Sequence, residues 1–282
     1  MTISRIGIVG SGIMGSGIAQ VAALAGFEVV LRSRSQNSAD AMVAAMEKSL
    51  AKLVDKGRLE AEARDAAVAR VTAVSDLHHL ADCDLVIESV VEDLAIKKEL
   101  FNELDRVVKD GGIIATNTST LPVVEMAMET GRPDRVCGVH FFNPAPMMSL
   151  VEIVRPITAS DETIAEVVEF ATACGKSPVE VSDRAGFIVN ALLFPYLNNA
   201  VRMLEFGIAS RDDIDTAMKG GCNFPMGPFA LLDLVGLDTS TAILDALYTE
   251  FRDPNYAAQP LLRRMVTAGH LGRKSGKGFY DY

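Results

Sequence analysis

The sequence predicts an α/β protein in two parts: an N-terminal doubly wound parallel sheet carrying a helical-hairpin insertion, then an all-α C-terminal domain. Up to about Ser182, apolar runs of strand length alternate with segments of helical spacing, the pattern of right-handed strand–helix–strand crossovers. Beyond Asp183-Arg184-Ala185-Gly186 only helical periodicity remains, over residues 187–206, 212–219, 229–234, 239–251 and 261–268. The expected boundary parts residues 1–184 from 185–282. With 282 residues, 49% hydrophobic and 23% charged, each part can bury a core.

The first strand, Arg5-Ile6-Gly7-Ile8-Val9, runs into Gly10-Ser11-Gly12-Ile13-Met14-Gly15 and then into an Ala-rich helix ending at Gly26. In this G-x-G-x-x-G, Gly10 permits a tight turn, Gly12 lets backbone approach a pyrophosphate, and Gly15 lets helix and strand pack closely. Backbone N–H groups of the loop and helix start, around Ser11, Ile13 and Met14, would carry the anion. A Rossmann-type dinucleotide-binding domain is the reading.

The second strand, Glu28-Val29-Val30-Leu31, leads to Arg32-Ser33-Arg34-Ser35, where the chain should meet the adenosine ribose. Enzymes that use NAD usually carry an acid there, which bonds the 2′-hydroxyl and repels a 2′-phosphate; guanidinium and hydroxyl groups do the reverse. The expectation is NADP(H) as preferred cofactor with NAD(H) possible, Arg34 and Ser33 being the first contacts and Arg32 the next. The plainer alternative is a solvated basic loop.

Residues 38–69 form an insertion of helical composition with a break at Lys56-Gly57, read as a hairpin standing off the sheet. Lys48, Lys52 and Lys56 recur every fourth residue and so share a face. Such a stripe is either a solvated face or a clamp for an anionic substrate handle. Strands resume with Val71-Thr72-Ala73-Val74, Leu85-Val86-Ile87-Glu88, Ile113-Ile114-Ala115-Thr116 and Val136-Cys137-Gly138-Val139, with helix over residues 95–108. Residues 150–154 and 179–181 complete the sheet.

Three polar residues end or interrupt these apolar runs. Of four histidines, His140 alone follows a buried strand pattern, and imidazole suits a base that takes a proton as hydride leaves. Glu152, amid Leu150-Val151-Ile153-Val154, would orient and stabilise that imidazole; its plainer role is an ion pair with a neighbour such as Arg155. Ser119, in Thr116-Asn117-Thr118-Ser119-Thr120-Leu121-Pro122, lacks a G-x-S-x-G elbow. It reads as a hydroxyl donor to a substrate oxygen, or as a helix cap before Pro122.

A formal net charge of −10 works against nucleic acid or an anionic membrane as partner. Cys83, Cys137, Cys174 and Cys222 are scattered, without metal-ligand spacing, so neither a metal site nor a disulfide framework is expected and all four read as small core residues. No apolar run reaches transmembrane length and the first strand starts at once, so a cytoplasmic location is expected.

Over essentially its whole length the chain resembles the L-3-hydroxyacyl-CoA dehydrogenases, specifically the 3-hydroxybutyryl-CoA dehydrogenase group. The stretches that carry the likeness include residues 10–17, Val90-Val91-Glu92-Asp93-Leu94, Asn117-Thr118-Ser119, His140-Phe141-Phe142-Asn143-Pro144, Gly186-Phe187-Ile188-Val189-Asn190, Pro225-Met226-Gly227-Pro228 and residues 272–280. The resemblance implies His140 as general base paired with Glu152, and Ser119 and Asn190 bonding the substrate's oxygens. It implies Glu92, Lys97, Ser119, Asn143 and Lys274 around the cofactor, Ser49, Lys52 and Lys56 on coenzyme A, an acyl-CoA substrate, and a homodimer. Two departures stand out: Ala191 where the family often has arginine, and Ser33 where it usually has an acid. Other readings are a dehydrogenase of a free hydroxy acid or sugar acid, and a non-catalytic, crystallin-like relative.

Overall fold

The computed structural model describes residues 3–282, and the chain divides after Asp183 into two compact units. In the first, one eight-stranded sheet is built from β1 (Arg5–Val9), β2 (Glu28–Arg32), β3 (Val71–Val74), β4 (Leu85–Glu88), β5 (Ile113–Thr116), β6 (Val136–Phe141), β7 (Leu150–Arg155) and β8 (Ser177–Ser182). The spatial order is β3-β2-β1-β4-β5-β6-β7-β8. The first six strands are parallel, β7 is antiparallel to β6, and β8 is parallel to β7. Chain order reverses between β1 and β4, so the connections leaving their carboxyl ends part there and open the crevice in which such sheets bind ligands.

Helices α1 (Ile13–Leu24), α2 (Gln36–Asp55), α3 (Ala61–Ala69), α4 (Leu94–Val107), α5 (Val123–Ala127) and α6 (Asp161–Ala173) complete this unit. Strands β4 and β5 are buried at every position, as expected of a sheet covered on both faces. The α2–α3 hairpin does not stand off as its composition suggested. Met42, Met46 and Leu50 of α2 and Ala67 of α3 belong to the same core as Ile18, Ala22 and the central strands. At about 100° per residue, the Met42/Met46/Leu50 row lies on the opposite side of α2 from Lys48 and Lys52, which are exposed, as is the capping residue Lys56.

The start of β1 is fastened by a buried carboxylate. Asp84 accepts from the N–H groups of Ser4 and Arg5, both at 2.8 Å, and from Lys109 Nζ at 2.7 Å. Burial by itself would raise its pKa, but the Lys109 ammonium and the two N–H groups outweigh it and hold the carboxyl at about 2, below the ordinary 3.8. A depressed folded-state pKa stabilises the fold above the unfolded value and ceases to do so as pH falls toward the folded one. Asp84→Asn is therefore expected to lower Tm at pH 7 by roughly 2–8 °C, with the gap narrowing in melts taken at successively lower pH below about 4. A gap that stays constant into acid would remove the assignment.

The second unit comprises α7 (Val189–Glu205), α8 (Arg211–Cys222), α9 (Pro228–Val235), α10 (Leu237–Phe251) and α11 (Pro260–Thr267). Their core includes Phe194, Leu197, Phe229, Leu232, Leu244 and Leu262. Asp233, buried in α9, accepts from the N–H groups of Phe279 and Tyr280 at 2.8 Å each and so docks the C-terminal segment. One cysteine departs from the expected core placement: Cys222 is exposed in the last turn of α8, while Cys174 is half-buried and packs against the core of the first unit. Cys83 and Cys137 are buried, and burial pushes their thiols up to about 11 and about 12. Among the described residues no helix is long and apolar enough to cross a membrane.

Candidate active site

The glycine loop occupies the β1–α1 turn, and its shape excludes side chains at Gly10 and Gly15. Gly10 has φ +135°, and a Cβ there would sit 2.2 Å from the Ser89 carbonyl oxygen; one on Gly15 would sit 2.5 Å from the Gly10 carbonyl. A Cβ on Gly12 would meet nothing within 4 Å, so this residue faces open space, and no side chain caps the start of α1. The cradle thus offers backbone and a helix N-terminus to an anion, which fits the pyrophosphate of a dinucleotide.

At the end of β2 the three candidate ribose-side residues diverge. Ser33 is buried and its N–H donates to the Val74 carbonyl at 3.1 Å. Arg34 is exposed. Arg32 is half-buried and turned along β3, where Nε donates to the Ser75 carbonyl at 3.1 Å; burial lowers its pKa. Ser35 does separate work as the N-cap of α2, accepting from the Ser38 N–H.

His140 lies within β6, one residue beyond the four that the sequence pattern assigns to that strand. The antiparallel ladder with β7 extends β6 to Phe141 and sets His140 directly opposite Glu152. Directly opposed residues have adjacent Cβ atoms, and here His140 Nδ1 is 2.7 Å from Glu152 Oε2, with both side chains buried. Nδ1–H donates to the carboxylate, so the basic lone pair is on Nε2. The Phe142 ring packs on the imidazole with centroids 4.4 Å apart, and Asn117 Oδ1 accepts from the Phe141 N–H at 2.8 Å. Arg155, the alternative partner for Glu152, bonds Glu180 and Asp161 instead.

Ser119 lies in the β5–α5 turn and does not cap α5, whose capping residue is Pro122; the Val123 and Val124 N–H groups donate to Asp183. Glu92 Oε1 accepts from Thr118 Oγ1 at 2.5 Å and from the Ser119 N–H at 3.0 Å. Lys97 is buried, with Nζ 2.7 Å from Glu88 Oε1 and 3.3 Å from Glu92 Oε2. Asn143 is exposed in the loop after β6. In the second unit, Asn190 is a buried residue in the first turn of α7, which follows left-handed Gly186 (φ +74°) and Phe187 (φ +48°). Lys274 is exposed and its ammonium lies 2.6 Å from Asp238.

Residues 5–184 match the NAD binding domain of 3-hydroxyacyl-CoA dehydrogenase, and residues 186–282 match the C-terminal domain of the same family. The chain is 49% identical to a 3-hydroxybutyryl-CoA dehydrogenase of Mycobacterium tuberculosis and 48% identical to one of Clostridioides difficile, in each case over 99% of both chains. The crystal structure of (S)-3-hydroxybutyryl-CoA dehydrogenase from Ralstonia eutropha superposes with a TM-score of 0.97 at 43% identity, covering 100% of this chain and 99% of that one. The chain belongs to the 3-hydroxyacyl-CoA dehydrogenase family, in the 3-hydroxybutyryl-CoA dehydrogenase group.

As a 3-hydroxyacyl-CoA dehydrogenase the protein is an oxidoreductase that uses a nicotinamide cofactor. Sequence reasoning overlooked several groups that shape this site. Glu88, read only as the last residue of a strand, is fully buried on Lys97; Thr116 and Thr118 bond Glu88 and Glu92; Asn117 holds the backbone beside His140. One signal was present: a glutamate that ends an otherwise apolar strand needs a buried partner.

Proposed function

We propose that this dehydrogenase interconverts (S)-3-hydroxybutyryl-CoA and acetoacetyl-CoA, with NADP(H) as the preferred cofactor and NAD(H) as the weaker one. The observation that carries the reading is the buried His140–Glu152 contact of 2.7 Å in a member of this family. The nicotinamide, when bound, accepts or supplies the hydride at the substrate C3. His140 Nε2 takes the C3 hydroxyl proton in oxidation and returns it in reduction, while Glu152 stabilises the imidazolium formed between. The Ser119 hydroxyl and the Asn190 amide are each assigned to a substrate oxygen.

The first unit is assigned as the dinucleotide domain. Backbone N–H groups of the Gly10–Gly15 loop take the pyrophosphate, and exposed Arg34, with Ser33, takes a 2′-phosphate. Glu92, with Lys97 behind it, belongs to the cofactor side, as do Asn143 and Lys274. Ser49 and Lys52 of α2 and its capping residue Lys56 are assigned to coenzyme A; an exposed cationic face on a chain of net charge −10 supports an anionic handle there. Leu192, Phe206 and Ile208, exposed at 72%, 71% and 64%, support a homodimer that covers part of the second unit, assigned to the cytoplasm.

Initial rates of acetoacetyl-CoA reduction with NADPH and with NADH, each below saturation, test the reading. Expected are kcat/KM at least about tenfold higher with NADPH and competitive inhibition by free coenzyme A. Turnover with NADH alone would keep the enzyme class and remove the cofactor preference. Lack of turnover with either, or no inhibition by coenzyme A, would remove the acyl-CoA assignment.

A further inference from the structure

We propose that Glu88 is a positioning residue, holding Glu92 and the Thr118–Ser119 turn in the geometry that receives the cofactor. The inference rests on the assignment of Glu92 and Ser119 to the cofactor side. Glu88 ends β4 and is 0% exposed; Lys97, in the first turn of α4, is 1% exposed. The ammonium lies 2.7 and 2.9 Å from the two oxygens of the carboxylate. The same carboxylate accepts from Thr116 Oγ1 at 2.8 Å and from the Val90 N–H at 2.5 Å. Removal of two charges from water is compensated only when geometry and further hydrogen bonds are this complete, and an apolar pair of similar volume often serves stability as well or better. Stability alone therefore does not account for the pair.

Its connections do. One path runs from Glu88 through Lys97 Nζ to Glu92 Oε2 at 3.3 Å, and from Glu92 Oε1 to the Thr118 hydroxyl and the Ser119 N–H. The other runs through Thr116, whose hydroxyl donates to Glu88 while its oxygen accepts from the Thr118 N–H at 3.1 Å. Both paths start at Glu88 and end on one turn, and the carboxylate also fixes Val90 beside the point where the glycine loop crosses Ser89. Of the charged groups in the network only Glu92 is open to solvent, its side chain 40% exposed. Glu88 thus joins the carboxyl ends of β4 and β5 and the start of α4 where a dinucleotide would lie.

The test measures NADPH dissociation constants by fluorescence titration, together with Tm, for Glu88→Gln, Thr116→Val, Thr116→Ser and Glu92→Gln. Glu88→Gln keeps the shape and removes the charge; it is expected to weaken NADPH binding about tenfold, because the buried lysine loses its main partner and draws Glu92 toward itself, out of register with the Thr118–Ser119 turn. Thr116→Val keeps every charge and cuts the second path; it is expected to weaken binding severalfold and to lower Tm by a few degrees, about 2–4 °C per kcal/mol lost, with Thr116→Ser restoring both. Parental affinity in folded Glu88→Gln, or in Thr116→Val should Glu88→Gln fail to fold, overturns the proposal. Parental affinity in Glu92→Gln means that the assignment of Glu92 has failed instead. Weakened binding in Glu92→Gln alone sinks the Glu88 proposal and leaves that assignment standing.

Discussion

His140→Gln is expected to lower kcat for acetoacetyl-CoA reduction by about 10⁴ or more, general acid–base terms in such sites being worth roughly 10² to 10⁴ and an oriented pair acting as a unit. Glutamine fills much of the imidazole volume and can still donate to Glu152, so the cross-strand contact and the ladder around it should persist. What it lacks is a nitrogen that takes up and returns a proton. NADPH affinity should stay within about twofold of the parent, since the glycine cradle belongs to the β1–α1 turn and not to β6. Glu152→Gln should cost less, because an imidazole still stands at position 140 without charge stabilisation of its protonated form. Stopped-flow turnover and fluorescence titration of the same preparations separate the terms; equal loss of turnover and of cofactor binding in His140→Gln would mark a structural role.

Rebuilding the end of β2 is expected to reverse cofactor preference. In Ser33→Asp/Arg34→Ala a carboxylate replaces a hydroxyl and the exposed guanidinium is gone, so a 2′-phosphate loses a charge-assisted hydrogen bond and meets a like charge. Each change is worth about 1.5–3 kcal/mol, so kcat/KM with NADPH should fall by roughly 10²- to 10⁴-fold. The carboxylate can accept from a ribose 2′-hydroxyl, so kcat/KM with NADH should hold or rise. Arg34→Ala alone should give the smaller part of the loss. Arg32 is not in the variant because its Nε is already committed to the Ser75 carbonyl. Parallel initial-rate series with both cofactors decide it: an unchanged NADPH/NADH ratio in the double variant would remove Ser33 and Arg34 from the ribose site.

The strands and helices were legible because each has a local cause. G-x-G-x-x-G demands a turn that only glycine tolerates, and the observed φ of +135° at Gly10 and the 2.5 Å approach at Gly15 are that demand in coordinates. Helix ends were less legible, since caps such as Ser35 and Ser210 act through single hydrogen bonds that periodicity does not register. The hairpin illustrates a further limit: its length and helical composition suggested an element standing off the sheet, but Met42, Met46, Leu50 and Ala67 join it to the core of the first unit.

By itself, then, the sequence determined the two-part architecture, the nucleotide turn and the identity of the family, because these depend on residue types at short, fixed spacings. Tertiary structure alone decided which charges meet. An apolar run reads the same in either strand direction, so nothing local shows that β7 runs antiparallel to β6; that direction sets His140 opposite Glu152. Likewise Glu88 and Lys97, nine residues apart at a strand end and a helix start, become an ion pair only when β4 and α4 pack. Hydrophobic burial selects the packing, and once water is excluded a buried charge must be matched by whichever groups the fold has brought near.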